Sequence, residues 1–341
     1  MREIGGYFGL EKLSSNEYHN ALIPLNTASN ALLYILKAKK IRKLYIPYYL
    51  CDSIKKMLEH NNYDFGYYNI GADFEPMFDV PLGDEEYLLI VNYYGQLTDE
   101  VIGLLKKKHK KIIIDNVQSF FQKPINGIDT FYSCRKFFGV PDGAYLSTDV
   151  LFNENLGKDI SGDRMKHILG RFEAGASDYY KDFQKNELDI KDEPLKWMSD
   201  FTHNILGAID YEAVRKIRNE NFAKLHENLK VINKLEPAIP DAPFAYPLEI
   251  KDRTGLWGQM PATFPGNESI RKHLIDKKIY IPTLWTNVLN DTDEGSIEYK
   301  YAANILPLPC DQRYGPDDME YIIHNIQEEV ENGQKTLSTG V

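Results

Sequence analysis

The sequence predicts an α/β fold with a mostly parallel sheet covered by helices. Three observations carry this expectation. Helix-period and strand-period segments alternate through the first 150 residues, as they do where helices cover a parallel sheet. Two of the strand segments, EYLLIVNYYG and IIID, are apolar runs of the kind that a sheet buries. With 341 residues, 43% of them hydrophobic, the chain can bury a large core and divide into two domains.

In chain order, SNALLYILKAKK (29–40) sets Ala31, Leu32, Ile35 and Leu36 on one helical face, and KLYIP (43–47) follows as a strand ended by proline. CDSIKKMLEH (51–60) reads as a helix, YDFGYY (63–68) as a strand and EYLLIVNYYG (86–95) as a buried strand. TDEVIGLLKKKHK (98–110) is a helix capped by Thr98. KIIIDN (111–116), TFYS (130–133) and GAYLS (143–147) return to strand. The cations of KKKHKK (106–111) read as a solvated helix end that favours the dipole there.

Beyond residue 150 the pattern loosens. Residues 153–200 are polar and aromatic, with GRFEAGASDYYKDFQKNE (170–187) as a lid, an inserted loop or a partner-contacting arm. A long helix over 213–235 follows, then strand-like FAYPLEI (244–250) and MPATF (260–264), helical SIRKHLIDKK (269–278), IYIPTLW (279–285) and a last helix within 317–330. The expected division is a large domain over 1–210 and a small α/β domain over 211–341.

Several function classes are disfavoured. A net charge of −10 argues against a general binder of nucleic-acid backbones. No apolar run approaches the roughly 20 residues of a membrane span, and MREIGGYFGLEKL lacks the order of a secretory signal, so a cytoplasmic protein is expected. Cys51, Cys134 and Cys310 form no CxxC and the eight histidines no HExxH, so neither a disulfide framework nor a metal site is suggested.

Ligands of open parallel sheets bind beyond the carboxyl ends of the strands. Asp115 ends the run IIID, where it either caps the next helix or meets a positive group, because a buried unpaired carboxylate costs several kcal/mol. Gln118 lies just beyond it, and Ser133 and Lys136 follow strand 130–133. Tyr48 and Tyr49 follow strand 43–47, while Thr27, Ala28, Ser29 and Asn30 open a helix whose free N–H groups suit an anion. Each has an ordinary reading: Lys136 as a surface lysine, Ser29 as a plain cap, Gln118 as a surface amide, the tyrosines as core rings. Together they match pyridoxal 5′-phosphate, whose phosphate, ring, pyridine nitrogen and aldehyde want an anion seat, stacking, a carboxylate and an amine.

The segments NTASNALLYIL, YIPYYLCDSI, NYYGQ, IIIDNVQSFF, SCRKFFGVPDGA and ILPLPCDQRYGPDDMEYI stand in an order that resembles the fold-type I pyridoxal-phosphate enzymes of the DegT/DnrJ/StrS branch, the sugar aminotransferases. The spacing of Asp115, Gln118, Ser133, Lys136 and the D-G-A at 142–144 carries most of the likeness. It implies a mostly parallel, seven-stranded-type sheet between helices, a smaller C-terminal α/β domain and a homodimer. The implied activity is transfer of an amino group, with glutamate as donor, to a keto-sugar nucleotide or related carbonyl compound in polysaccharide or secondary-metabolite biosynthesis.

The resemblance further implies that Lys136 carries the cofactor and shuttles the proton, and that Asp115 holds the ring nitrogen. Gln118 lies near the ring's phenolate oxygen, and Ala28, Ser29 and Ser133 bind phosphate. The pattern departs from the family at three points: Ala28 replaces a glycine, Lys136 follows Ser133 by three residues rather than four, and Cys51 stands where the stacking aromatic is found, so that Tyr49, with Tyr48 behind it, is the expected substitute. The alternatives are a dehydratase of the same fold, against which Lys136 counts, and a non-catalytic scaffold.

Overall fold

The computed structural model describes residues 6–13, 16–251 and 267–338. The first strand, β1 (Ile23–Leu25), runs into α1 (Ala28–Ala38), followed by β2 (Lys43–Pro47), α2 (Asp52–His60), β3 (Asp64–Ile70), β4 (Pro76–Met77) and β5 (Glu86–Val91). Next come α3 (Asp99–His109), β6 (Ile112–Asp115), β7 (Asp129–Ser133) and β8 (Ala144–Ser147). The middle of the chain carries α4 (Lys166–Glu173), α5 (Tyr180–Asp189), α6 (Asp200–Leu206) and α7 (Tyr211–Leu229). It closes with β9 (Tyr246–Leu248), α8 (Asn267–Asp276), α9 (Val288–Asp291), α10 (Ile297–Asn304), β10 (Leu306–Leu308) and α11 (Pro316–Ser338).

The main sheet has the order β1-β8-β7-β6-β5-β2-β3-β4. Its middle, from β7 through β6, β5 and β2 to β3, is parallel; β8 and β4 run antiparallel to it, and β1 pairs antiparallel with β8. Strand β4, two residues paired against the end of β3 after a tight turn at Gly71–Glu75, makes eight strands of the seven expected. Helix α1 forms because its apolar residues recur at helical spacing and because Thr27 caps it, accepting the Asn30 N–H at 3.1 Å. Leu32, Ile35 and Leu36 are buried completely. Thr98 caps α3 as its sequence suggests, accepting the Val101 N–H at 3.3 Å. Ile112, Ile113 and Ile114 are at most 1% exposed, which accounts for the β-branched run at the sheet's centre.

A second, two-stranded sheet pairs β9 and β10 antiparallel, with Leu248 opposite Leu306. Phe222, Leu225 and Leu229 of α7, Ile270 and Leu274 of α8, and Met319, Ile322 and Ile326 of α11 form its separate apolar core. The fold is therefore α/β, a large mixed sheet between helices with a smaller C-terminal sheet and its own helices.

The structure departs from the sequence reading at several elements. Helix α7 ends at Leu229 rather than 235, because Asn233 is fully buried and bonded to the neighbouring strand, donating to the Pro247 carbonyl at 2.9 Å and accepting the Glu249 N–H at 3.0 Å. Residues 279–283, to which the sequence reading gave no element, enter no sheet: Pro282 lacks an N–H, and its carbonyl is taken by Arg271 at 2.8 Å. The strand expected at 260–264 lies outside the described residues. Residues 153–200 hold α4 and α5, whose faces keep Phe172 91% and Leu188 64% exposed, so no apolar stripe announces them. Among the described residues, no helix is long and apolar enough to cross a membrane.

Candidate active site

The carboxyl ends of the parallel strands converge on one edge of the main sheet. Asp115 closes β6 and is 6% exposed; its Oδ1 accepts the Val117 N–H at 2.9 Å, and among the described residues no cation touches it. Burial pushes its carboxyl up to about 7, against the opposing effects of that N–H and of the charge of Lys136. The acid is thus a buried group in want of a positive partner.

Lys136 stands on a single tight turn, Cys134–Lys136, inside the hairpin that joins β7 to β8. Phe137 and Phe138, at 3% and 6% exposure, anchor the turn in an aromatic cluster with Phe120, Phe121 and Tyr211. Each such side chain contributes about 1.5–3 kcal/mol of burial. Lys136 itself is exposed, and its charge reaches Asp115, Cys51 and Glu187. Ser133, the last residue of β7, is 6% exposed and its hydroxyl has no partner among the described residues.

The D-G-A motif beyond the turn fixes the hairpin's return. Asp142 is fully buried and accepts the Ser199 N–H at 2.9 Å, the Ser199 hydroxyl at 2.7 Å and the Thr202 hydroxyl. Gly143 at φ +117° adopts a conformation that side chains disfavour, and its N–H reaches the Asn26 carbonyl at 2.6 Å. That bond lays the start of α1 beside the hairpin. Ala28 and Ser29 form the first turn of α1, half-buried, with helix N–H groups that the Thr27 cap leaves unpaired. Asp115, Ser133 and Lys136 thus share the carboxyl-end edge of the sheet, with Ala28 and Ser29 on the flank that adjoins the hairpin.

No protein-family model matches the sequence, and no curated protein matches it. Solved structures do. The Streptococcus pneumoniae protein Spr1654, described as a sugar aminotransferase and solved in its PMP form, superposes with a TM-score of 0.63 at 15% identity, covering 93% of this chain and 88% of its own. NtdA of Bacillus subtilis, solved with bound PMP, gives 0.62 at 11% identity over 94% and 78%. DesV of S. venezuelae, in complex with a ketimine intermediate, gives 0.56 at 14% identity over 90% and 84%. The chain has the fold of the sugar aminotransferases.

On this aminotransferase fold two expected residues take other places. Tyr49 is completely buried, its ring 5.0 Å from Tyr93 and 5.2 Å from Trp285, so it belongs to the core and offers no face to the cleft. The sequence reading misplaced it because two residues beyond a strand end point either way. Tyr48 is half-buried and stacks on Tyr67 at 4.5 Å. Gln118 spends its side-chain oxygen on the Tyr94 N–H at 2.8 Å, which supports the turn after β5 and leaves only its amide nitrogen for other work.

Other residues that the sequence reading gave no role lie near the site. Cys51 lies within reach of the charges of Asp115 and Lys136; burial raises its thiol pKa, and its sulfur meets the Ser53 hydroxyl at 2.9 Å. Its signal in the sequence is its place where the resemblance expects the stacking aromatic. Helix α5 brings Glu187, which pairs with Arg135 and feels the charge of Lys136. On the same helix Asn186 is 4% exposed, with neither amide atom partnered among the described residues. Nothing in FQKNE distinguishes these two from a solvated helix face.

Proposed function

We propose that the protein is a pyridoxal-phosphate-dependent aminotransferase acting on a keto-sugar nucleotide or a related carbonyl compound. The observation that carries the reading is Asp115, a buried carboxylate raised to about 7 that has one backbone donor and, among the described residues, no contacting cation. A protonated pyridine nitrogen is the N–H it lacks, and pairing with it returns the acid to its charged form. The remaining groups fit the rest of the molecule: the unpartnered Ser133 hydroxyl and the N–H groups of Ala28 and Ser29 suit a phosphate, and the amine of Lys136 suits an aldehyde.

When bound, the cofactor supplies an electron sink for the carbanion formed at the substrate carbon. The chain's part is to hold and to move a proton. Asp115 would hold the ring nitrogen's proton, and the Lys136 amine would take the proton from the substrate carbon. The Gln118 amide nitrogen is the group left to approach the ring's oxygen.

The sugar acceptor is supported by the names of the similar structures, which include a Helicobacter pylori aminotransferase of pseudoaminic acid biosynthesis. Glutamate as donor, a role in polysaccharide or secondary-metabolite biosynthesis, a homodimer, a cytoplasmic location and a division near residue 210 complete the proposal. A non-catalytic scaffold is the second reading, favoured by the core position of Tyr49 and the exposure of Lys136.

One experiment separates them. The full chain is incubated with pyridoxal 5′-phosphate, reduced with borohydride and digested, and the peptides are weighed. A pyridoxyl group on Lys136, absent from Lys136→Ala, supports the enzyme; no adduct, or one on another lysine only, overturns it.

A further inference from the structure

The backbone of the Lys136 turn is gripped from the C-terminal half of the chain. Arg218 of α7 is 1% exposed, and among the described residues no carboxylate touches it. Its guanidinium donates from Nε to Gln312 Oε1 at 2.8 Å, from Nη1 to the Pro243 carbonyl at 2.8 Å and from Nη2 to the Phe137 carbonyl at 3.3 Å, and lies 4.4 Å from the centre of the Phe137 ring. Gln312 donates its Nε2 to the same Phe137 carbonyl at 2.7 Å. The nearby acid, Asp311, is already paired with Arg313 at 2.7 and 2.8 Å.

A fully buried guanidinium satisfied by neutral acceptors is an expensive way to fill space, since apolar residues of similar volume are often no less stable there. Its geometry nevertheless converges on one atom. Phe137 directly follows Lys136, and its carbonyl receives two donors where an ordinary turn carbonyl needs one. On the other side of the lysine, Arg135 is held only through its side chain, by Glu187.

We propose that Arg218 and Gln312 are positioning residues that fix the Lys136 amine by holding the Phe137 carbonyl, coupling the C-terminal sheet and helices to the lysine. The inference rests on the reading of Lys136 as the residue that binds the cofactor. A displacement of about 1 Å at a reacting group can slow a reaction about a hundredfold, so a backbone clamp beside that group has leverage.

The test is Gln312→Glu. The carboxylate still accepts from Arg218, now as an ion pair, but turns an oxygen instead of an N–H toward the Phe137 carbonyl. Three quantities are measured on the full chain: the unfolding midpoint, amide hydrogen exchange at residues 135–138, and the rate at which pyridoxal 5′-phosphate becomes trappable on Lys136 by borohydride. The expected result is an unchanged or raised midpoint, exchange at the turn faster by tenfold or more, and trapping slowed by about tenfold or more. Wild-type exchange and trapping in a folded variant would overturn the clamp. Should Gln312→Glu fail to fold, Arg218→Met carries the same expectations for exchange and trapping. If the wild type traps no cofactor while exchange at the turn still rises in the variant, the clamp stands and the cofactor reading falls.

Discussion

The side-chain oxygen of Gln118 accepts the backbone N–H of Tyr94 at 2.8 Å, and Tyr94 stands in the left-handed conformation, at φ 54° and ψ 15°. A tyrosine adopts that conformation at a cost, and among the described residues its buried N–H has no other acceptor. Gln118→Ala therefore strands a buried donor and lowers stability by about 1–3 kcal/mol. Urea unfolding at fixed pH measures the loss; a wild-type midpoint would show that the bond holds nothing.

Asp115 makes the cofactor-free protein sensitive to alkali. Its folded value, raised to about 7, lies above the usual carboxylate value of 3.8, so the folded state binds the proton more tightly than the unfolded chain. Its contribution is complete below pH 3.8 and is lost as pH rises through 7. Unfolding midpoints recorded from pH 5 to pH 8 are expected to fall more steeply for the wild type than for Asp115→Asn. Adding pyridoxal 5′-phosphate is expected to reduce the difference, because a pyridinium partner favours the charged acid.

Gly143 tests how tightly the hairpin is closed. A Cβ there would lie 3.0 Å from Thr202 Cγ2 and 3.2 Å from Cys134 Sγ, at φ +117°. Gly143→Ala is expected to cost about 1–3 kcal/mol from strain before crowding is added. Gly103→Ala within α3 meets nothing within 4 Å and is the control. It should raise stability by about 0.5–1 kcal/mol, as alanine does in helix interiors. Thermal unfolding of both variants decides the point by the sign of each shift.

Glu187 joins α5 to the turn through Arg135. Burial acts to raise its carboxyl, but the charges of Arg135 and Lys136 outweigh that and hold it below 4.5. The tie is thus present above pH 4.5 and is lost as the acid takes up its proton at lower pH. In Glu187→Gln, hydrogen exchange across Tyr180–Asp189 is expected to quicken at neutral pH while that of Ile112–Ile114 stays unchanged. Equal protection in the variant and the wild type would mean that α5 is held by packing alone.

Much of this architecture is legible before any coordinates. The bounds of β2 and the cap of α3 follow from local chemistry, because Pro47 cannot continue a ladder and Thr98 has a free N–H to satisfy. The places of Asp115, Ser133 and Lys136 at or just beyond strand ends are legible for a related reason, because apolar runs mark where their strands stop. Tyr49 was not, since its direction depends on Tyr93 and Trp285, which lie 44 and 236 residues away in the chain. Arg218 and Gln312 are also silent in the sequence. Their role exists only where α7 and the loop before α11 meet the turn after β7, and no periodicity records that meeting. Helices α4 and α5 escape notice because most of their apolar residues, Leu169, Phe172, Tyr180, Phe183 and Leu188 among them, are exposed.

Strands β7 and β8 run antiparallel, and Ser133 pairs with Ala144, so the ten residues from Cys134 to Gly143 leave the sheet and return to it at the same rung. A loop closed in this way can gain or lose a residue without sliding any strand against its neighbours. The three-residue interval between Ser133 and Lys136 is thus a local dial for where an amine is presented, adjustable by mutation while the framework beneath stays in register.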